Sequence, residues 1–158
     1  MNMKNGLICL LIVAILTICM PNVAAASTSK QTTEIHSGYV MDVPAKEQPM
    51  LVILLDDNAT YVNQSVDIYG LLATGSPSAP HGIEGATVNI QRLNYDRTAW
   101  YTIGNLTTIS GGKQAGFFRG TLTLKNPGVY IYRATYDGDS QCAPAVSNEV
   151  TLRVYSRG

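Results

Sequence analysis

The chain has 158 residues, of which 46% are hydrophobic and 14% are charged. This hydrophobic content is too high for a disordered chain, and the length favours a single domain. Eleven basic residues balance eleven acidic ones, so no nucleic-acid partner bound through bulk charge is expected. With two histidines and three cysteines, the chain has few residues for metal or nucleophilic chemistry.

Residues 1–26 have the features of a secretory signal peptide. Lys4 provides the positive charge, an apolar run over 7–20 follows, and three alanines at 24–26 suit a cleavage site. The run is shorter than the roughly 20 residues that a membrane-spanning helix needs. We therefore predict a secreted or cell-surface protein. The alternative is an uncleaved anchor, in which case this segment would be the membrane contact.

The positions of the cysteines bear on how the exported chain is stabilised. Cys9 and Cys19 lie in the predicted signal peptide, so the mature chain keeps Cys142 alone. One cysteine cannot form an intramolecular disulfide, and the domain must be stabilised by its hydrophobic core instead. We expect Cys142 to be a partly buried, small hydrophobic side chain; the alternative is an intermolecular disulfide.

Residues 27–48 are polar and without a clear period, which predicts a flexible leader or linker. The folded domain is then predicted over 49–156. It consists of short runs rich in Val, Ile, Thr, Tyr and Leu, separated by Gly, Pro, Asn and Asp, a pattern typical of an all-β sandwich. The run at 51–55 is short and ends at two aspartates, which favours a strand over a helix. The Ser-, Pro- and Gly-rich segment 76–82 predicts a loop.

Five segments alternate apolar and polar residues: 65–72, 86–92, 117–124, 129–136 and 149–155. Successive side chains of a strand project to opposite faces, so each segment predicts a sheet with one buried face. Two such sheets have to stack their apolar faces, which makes a sandwich. The residues predicted to face inward are Val66, Ile68, Gly70, Val88, Ile90, Phe118, Leu122, Leu124, Tyr130, Tyr132, Ala134, Tyr136, Val150, Leu152 and Val154.

The run from Gly128 to Asp139, with the segment 143–148 and the last alternating segment, resembles the C-terminal half of bacterial and archaeal Ig-like domains of surface and secreted proteins. Residues 85–88 resemble the middle strand of these domains. The resemblance implies an antiparallel Ig-like sandwich of about seven strands. Ig-like folds open the sixth strand with Gly-x-Tyr-x-Cys, whose tyrosine bonds back to the backbone. Tyr130 matches that tyrosine, and Tyr132 stands in the cysteine position, which implies a sandwich without a disulfide.

The catalytic motifs that are recognisable in a sequence are missing from this chain. It contains no Gly-x-Ser-x-Gly, no His-Glu-x-x-His and no phosphate-binding glycine loop. His36 falls in the predicted leader and His81 in the predicted loop. We therefore predict that the protein is not an enzyme and has no cofactor.

We predict that the protein binds no metal ion. The alternative is a calcium site formed by two acidic loops. Asp56 and Asp57 lie in one loop, and Asp137 and Asp139 in the other. Calcium takes six to eight oxygen ligands, so both loops would have to meet at one end of the sandwich. The favoured interpretation is that these aspartates cap the backbone of their own turns.

Three aromatic residues, Tyr95, Trp100 and Tyr101, cluster in and after a predicted turn at 94–98. If exposed together, they would make a platform for sugars and hence a carbohydrate-binding module. We favour the alternative, in which these large rings pack across strands or into the core.

Three glycosylation sequons begin at Asn58, Asn63 and Asn105. On an exported chain they are acceptor candidates. The alternative is a chance occurrence, because Asn, Ser and Thr are common in strands and turns.

From the resemblance we expect an exported, non-enzymatic Ig-like module with a structural, adhesive or protein-binding role, whose partner is a cell-surface protein or a glycan. The alternatives are a carbohydrate-binding module that uses the three aromatic residues, and a transthyretin-like accessory domain, which residues 85–88 would also suit. A further alternative is that an edge strand pairs with a strand of a partner. Nothing in the sequence indicates an oligomeric state.

Overall fold

The computed structural model of the protein describes residues 32–34, 40–42 and 45–157. These residues divide into two compact units, one holding the described residues up to 46 together with 76–80, the other holding 47–75 and 81–157. In the first unit, strands β1 (Thr32–Glu34) and β2 (Val40–Asp42) pair antiparallel. The composition of the predicted leader, 27–48, does not indicate these two strands. The predicted signal peptide, 1–26, lies outside the described residues.

Ten further strands follow along the chain. They are β3 (Met50–Leu55), β4 (Ala59–Tyr61), β5 (Ser65–Ser76), β6 (Ala79–Gly82), β7 (Thr87–Leu93), β8 (Trp100–Thr107), β9 (Phe117–Thr123), β10 (Gly128–Tyr136), β11 (Ala145–Val146) and β12 (Val150–Tyr155). A short 3₁₀ turn, Gly112–Gln114, lies between β8 and β9. The prediction of a loop over 76–82 is wrong at β6, which pairs beside β5. Within the described ranges, no helix is long and apolar enough to cross a membrane.

These ten strands form two sheets, apart from the β1–β2 pair. In the smaller sheet, β5 lies between β3 and β9, with β6 beside its C-terminal part. The larger sheet has the order β4-β12-β10-β7-β8, with β11 beside the end of β10. Its pairs are antiparallel except β4 with β12. Seven strands are six residues or longer, so the predicted all-β sandwich of about seven strands is confirmed.

The core lies between the inner faces of the two sheets. Period-two alternation predicts these faces correctly, and each fully buried large side chain contributes about 1.5–3 kcal/mol to folding. Leu122, Leu124, Tyr130 and Val150, all predicted inward, are half-buried at the margin. The buried residues at predicted inward positions are Val66, Ile68, Val88, Ile90, Phe118, Tyr132, Ala134, Tyr136, Leu152 and Val154, joined by Leu51 and Ile53 of β3.

Gly70 in the middle of β5 permits the closest approach in the smaller sheet. A Cβ at this position would lie 2.4 Å from the ring Cζ of Phe118 and 2.2 Å from the carbonyl oxygen of Val52. Since no real Cβ tolerates such distances, the ring of Phe118 packs over β5 only because residue 70 has no side chain.

The tyrosine corner implied by the Ig-like resemblance is present. The Tyr130 hydroxyl donates a hydrogen bond to the carbonyl oxygen of Asn126 at 2.9 Å, which fixes the turn that leads into β10. Tyr132 fills the usual cysteine position and is completely buried. Cys142 is also in the core with 6% of its surface exposed, as expected for a small hydrophobic side chain.

Asn148 closes the free edge of β3. Its Oδ1 accepts a hydrogen bond from the amide of Ile53 at 3.0 Å, and its Nδ2 donates to the carbonyl oxygen of the same residue at 3.0 Å. One side-chain amide thus replaces the strand that would otherwise pair with β3 at this point. An unpaired strand edge invites association with other chains, and this two-point bond blocks it.

We predict that Asn148→Ala lowers the free energy of unfolding by about 1–3 kcal/mol, because it leaves two partly buried backbone groups of Ile53 without partners. Urea unfolding followed by circular dichroism measures the change. Asn105→Ala is the control, since Asn105 is exposed in β8 and its loss should stay within about 0.5 kcal/mol. Equal effects of the two substitutions would contradict the assigned role of Asn148.

Candidate functional site

The three predicted ligand-binding aromatic residues do not form one platform. Trp100 and Tyr101 follow each other in β8, where they lie opposite Leu93 and Arg92 of β7. Neighbouring residues of a strand face opposite sides of the sheet, so the two rings are separated by the sheet itself. Tyr95 lies in the turn before β8 and is fully exposed. The prediction of a single aromatic cluster is therefore wrong.

Trp100 lies on the outer face of the larger sheet and packs against an arginine. The guanidinium of Arg133 is 4.2 Å from the centre of the indole ring, which is a cation–π contact. The Nε–H of Arg133 also donates to Oε1 of Gln91 at 2.9 Å. Trp100 therefore has the cross-strand packing role that we favoured over sugar binding.

Tyr101 lies on the inner face, at the end of the sheet where β10 begins. Arg92 beside it places its guanidinium 5.0 Å from the ring centre of Tyr101 and 5.5 Å from that of Tyr130. The Nε–H of Arg92 donates to the Tyr101 hydroxyl. Because Tyr132 lies directly opposite Arg92 in the β10–β7 register, the side chains of Tyr101, Arg92 and Tyr132 form one row across three strands.

Arg92 and Tyr101 of this row border a cleft of about 560 Å³, which we call the tyrosine–arginine cleft. Its polar lining consists mainly of Arg92, Arg97, Tyr95, Tyr101 and Tyr130, and no aspartate or glutamate lines it. The volume falls within the roughly 300–1,000 Å³ typical of small-ligand sites. Tyr95 and Tyr101 are predictable from the sequence as ligand candidates, but the two arginines are not, because charged residues in a turn and at a strand end are ordinary surface features.

The Tyr132 hydroxyl is a buried polar group beside this cleft. The residue has no exposed surface, and its hydroxyl oxygen has no hydrogen-bond partner among the described residues. Burial raises the pKa of Tyr132 to about 12, while the charge and the N–H groups of Arg92 act in the opposite direction. An unsatisfied buried hydroxyl costs about 1–3 kcal/mol of stability. The hydroxyl faces Arg92 and does not line the cleft.

The two acidic loops lie at opposite ends of the larger sheet. Asp56 and Asp57 precede β4, which pairs with β12 near the start of β10, whereas Asp137 and Asp139 follow the end of β10. The nine residues of β10 span about 30 Å. The alternative of one calcium site shared by both loops is therefore wrong. Among the described residues, no group of three His, Cys, Asp or Glu side chains is placed to hold a metal ion.

These aspartates bond to backbone or side-chain groups nearby instead. Oδ1 of Asp56 accepts from the Asp67 amide at 2.8 Å, and Oδ1 of Asp57 accepts from the Ala59 amide at 3.1 Å. Oδ1 of Asp139 accepts from the amides of Gln141 and Cys142, both at 2.7 Å. Oδ2 of Asp137 accepts from Nδ2 of Asn89 at 3.3 Å. The turn-capping interpretation accounts for most of these contacts.

A second cleft, of about 550 Å³, lies where β4 and β12 end. Its lining includes Asp56, Asp57 and Gln64, together with Tyr61 and Tyr155, whose ring centres are 6.2 Å apart. This tyrosine pair is not predictable from the sequence, because the two residues are distant in the chain and meet through the parallel β4–β12 register. None of the described residues that line this cleft has a buried side-chain nitrogen or oxygen without a hydrogen-bond partner.

The asparagines of the three sequons are all exposed. Asn58 lies in the loop before β4, Asn63 adopts a left-handed conformation with φ 63°, and Asn105 lies in β8. Exposure is what a glycan acceptor requires, so glycosylation at these residues stays a prediction.

Strand β8 forms an open edge of the larger sheet. Its eight residues include no charged side chain, and most of them are exposed on both faces. Ile103 has no partner in β7, because the register shifts between Gly104–Ile90 and Thr102–Gln91. Leu106 packs close to Gly120 of β9, so the open part of the edge is the first half of the strand. The sequence shows no alternation here because neither face is buried.

The comparisons with known proteins bear on the fold. No family model matches the chain, and no curated protein is significantly similar. A CARDB domain from Pyrococcus furiosus, solved in complex with di-metal ions, is 15% identical, with 70% of this chain and 90% of that chain covered and a TM-score of 0.50. The solution structure of the same domain is 17% identical over 68% of this chain and 96% of that one, with a TM-score of 0.43.

A superoxide reductase (neelaredoxin) from Ignicoccus hospitalis is 14% identical over 67% of this chain and 80% of that chain, with a TM-score of 0.43. At these identities the likeness concerns the fold alone. The chain has the Ig-like type of β-sandwich found in CARDB domains.

We predict that Tyr132→Phe does not lower stability at neutral pH, because it removes a buried hydroxyl that has no partner. Tyr136→Phe is the control. Its hydroxyl donates to Oδ2 of Asp139 at 2.8 Å, and losing this bond should cost about 0.5–1.5 kcal/mol. Urea unfolding at pH 7 measures both. A loss for Tyr132→Phe as large as that for Tyr136→Phe would contradict the assignment of an unsatisfied hydroxyl.

The same pair of variants predicts a pH dependence. Tyrosine ionises near pH 10 in an unfolded chain. In the folded chain, burial raises the pKa of Tyr132 and of Tyr136 to about 12. For Tyr136, the hydrogen bond to Asp139 also raises the pKa. The unfolded state therefore loses protons first, and stability falls as the pH rises from about 10 to 12. Between pH 9 and about 11, the free energy of unfolding of each variant should therefore fall less than that of the wild type. The same decrease of this free energy with pH in variant and wild type would contradict the prediction.

Proposed function

We propose that the protein is an exported, non-enzymatic Ig-like module that binds another protein at the cell surface through the open edge of β8. The observation that carries this proposal is the contrast between two sheet edges. Asn148 closes the edge of β3, whereas the first half of β8 has no such cover among the described residues.

The composition of β8 supports an edge that receives a partner. Sheet edges that are kept from pairing usually carry charged residues, proline or a bulge. Trp100–Thr107 contains no charged residue and no proline, and its register shift lies at the single residue Ile103. Tyr101 and Ile103 are each 40% exposed. A partner strand placed along this edge would gain backbone hydrogen bonds, and its side chains would contact these two residues.

Export and the absence of catalysis complete the proposal. The features of residues 1–26 support secretion, and three exposed sequon asparagines are compatible with an extracellular surface. In the part of the chain that the structure describes, the histidine His81 is exposed and the cysteine Cys142 is buried. Neither is placed as an activated nucleophile or general base would be.

A glycan-binding role is the second candidate. It is supported by the tyrosine–arginine cleft, which retains Tyr95 and Tyr101 of the predicted carbohydrate site but not Trp100.

We predict that Ile103→Lys weakens the binding of a partner protein to the edge, because a charged side chain on an edge strand opposes pairing. The full chain, purified as the host exports it, is cross-linked to an envelope fraction of the source organism, and cross-linked peptides are mapped by mass spectrometry. We expect cross-links close to residues 100–104 that fall by about 10-fold in the variant, equivalent to a loss of about 1.4 kcal/mol in binding.

Val146→Lys is the matched control, since Val146 is an aliphatic residue with 59% of its surface exposed on β11. It should leave the cross-links unchanged. Cross-links that map elsewhere, or that survive Ile103→Lys, would contradict the proposal.

A further inference from the structure

The tyrosine–arginine cleft holds two arginines without a counter-charge. Neither Arg92 nor Arg97 forms an ion pair with a described residue, and no carboxylate lines the cleft. The Nε–H of Arg92 donates to the Tyr101 hydroxyl, and its guanidinium also faces the hydroxyl of Tyr132. The planar fork of five N–H donors that an arginine carries matches a carboxylate.

Arg92 is also held in place before any ligand arrives. Its guanidinium lies over two tyrosine rings, at 5.0 Å from the centre of Tyr101 and 5.5 Å from that of Tyr130. These contacts restrict a side chain that would otherwise lose considerable rotamer entropy on binding. The cleft thus presents a positioned cation rather than a mobile surface charge.

The strand register supports the fixed position of Arg92. Tyr132 lies directly opposite it on the same face of the sheet and is completely buried. The arginine is therefore flanked by Tyr101 on one neighbouring strand and by Tyr132 on the other.

The remaining lining favours a sugar ring beside the anionic group. Tyr95 is fully exposed and Tyr101 partly so, and both combine a flat apolar ring with a hydroxyl. Such rings pack against the C–H faces of a sugar, while their hydroxyls bond to its oxygens. We propose that the tyrosine–arginine cleft binds a carboxylate-bearing sugar, such as a uronic acid unit of an acidic polysaccharide, with Arg92 contacting the carboxylate and Tyr95 and Tyr101 contacting the ring.

This inference rests on the second candidate function, glycan binding at the cleft, and it is tested separately from protein binding at β8. The probe is trigalacturonic acid, titrated by calorimetry into the full chain, with neutral galactotriose and a hexaglutamate peptide as comparison ligands. We expect trigalacturonic acid to bind at least about 10-fold more tightly than either comparison ligand, because only it supplies both the carboxylate and the ring.

Arg92→Met should weaken the binding of trigalacturonic acid by at least about 10-fold, since it removes the charged donors and keeps an apolar side chain of similar length. Arg133→Met is the matched control, because Arg133 stacks on Trp100 at the outer face of the same sheet. Its affinity should equal that of the wild type. Tyr95→Ala, at a fully exposed position, should weaken binding severalfold without affecting folding.

Each other result would overturn the proposal. Equal binding of galactotriose would remove the role of the carboxylate, and tighter binding of hexaglutamate would assign the cleft to an acidic peptide. Absence of binding by trigalacturonic acid at millimolar concentration would remove the site. Ile103→Lys should bind trigalacturonic acid as the wild type does, so failure at β8 and failure at the cleft are distinguishable.

Discussion

The packing of two inner sheet faces, without a disulfide between them, is the constraint on which the rest of the structure depends. Ig-like domains that have a disulfide place a cysteine where this chain has Tyr132. At that position the completely buried ring of Tyr132 stabilises the packing of the sheets through its buried apolar area and its close contacts, where other domains have a covalent bond. Phe118 contributes to the same core. Its large ring can pack against the smaller sheet at this point only because β5 has a glycine, Gly70, without a side chain.

The inner face of the larger sheet changes character towards one end. Ala134 and Tyr132 are buried in the core, while Tyr130, next on the same face of β10, is half-buried and bonded to the Asn126 carbonyl. Arg92 and Tyr101 continue the face onto β7 and β8. Tyr101 and Tyr130 in the cleft therefore lie on the same face, and on the same sheet, as the buried apolar residues.

Much of this fold is predictable from the sequence, because a strand with one buried face leaves a period of two, as at Val88 and Ile90. The sequence of β8 has no such period, since its side chains are largely exposed. Without a period, the sequence does not predict that Trp100 and Tyr101 lie on opposite faces of the sheet. Asn148 gives no signal either, because its partner Ile53 is 95 residues away. The same applies to the acidic loops, whose placement depends on strand order rather than on composition.

Stabilisation by a noncovalent core is tested most directly by urea unfolding of the full chain with and without a reductant. Trp100, the one tryptophan in the sequence, reports on the outer face of the larger sheet, and far-ultraviolet circular dichroism reports on both sheets. The expected result is a single transition that coincides for both signals and keeps the same midpoint in the reductant. A midpoint that falls on reduction, which would indicate stabilisation by a disulfide, would contradict this account.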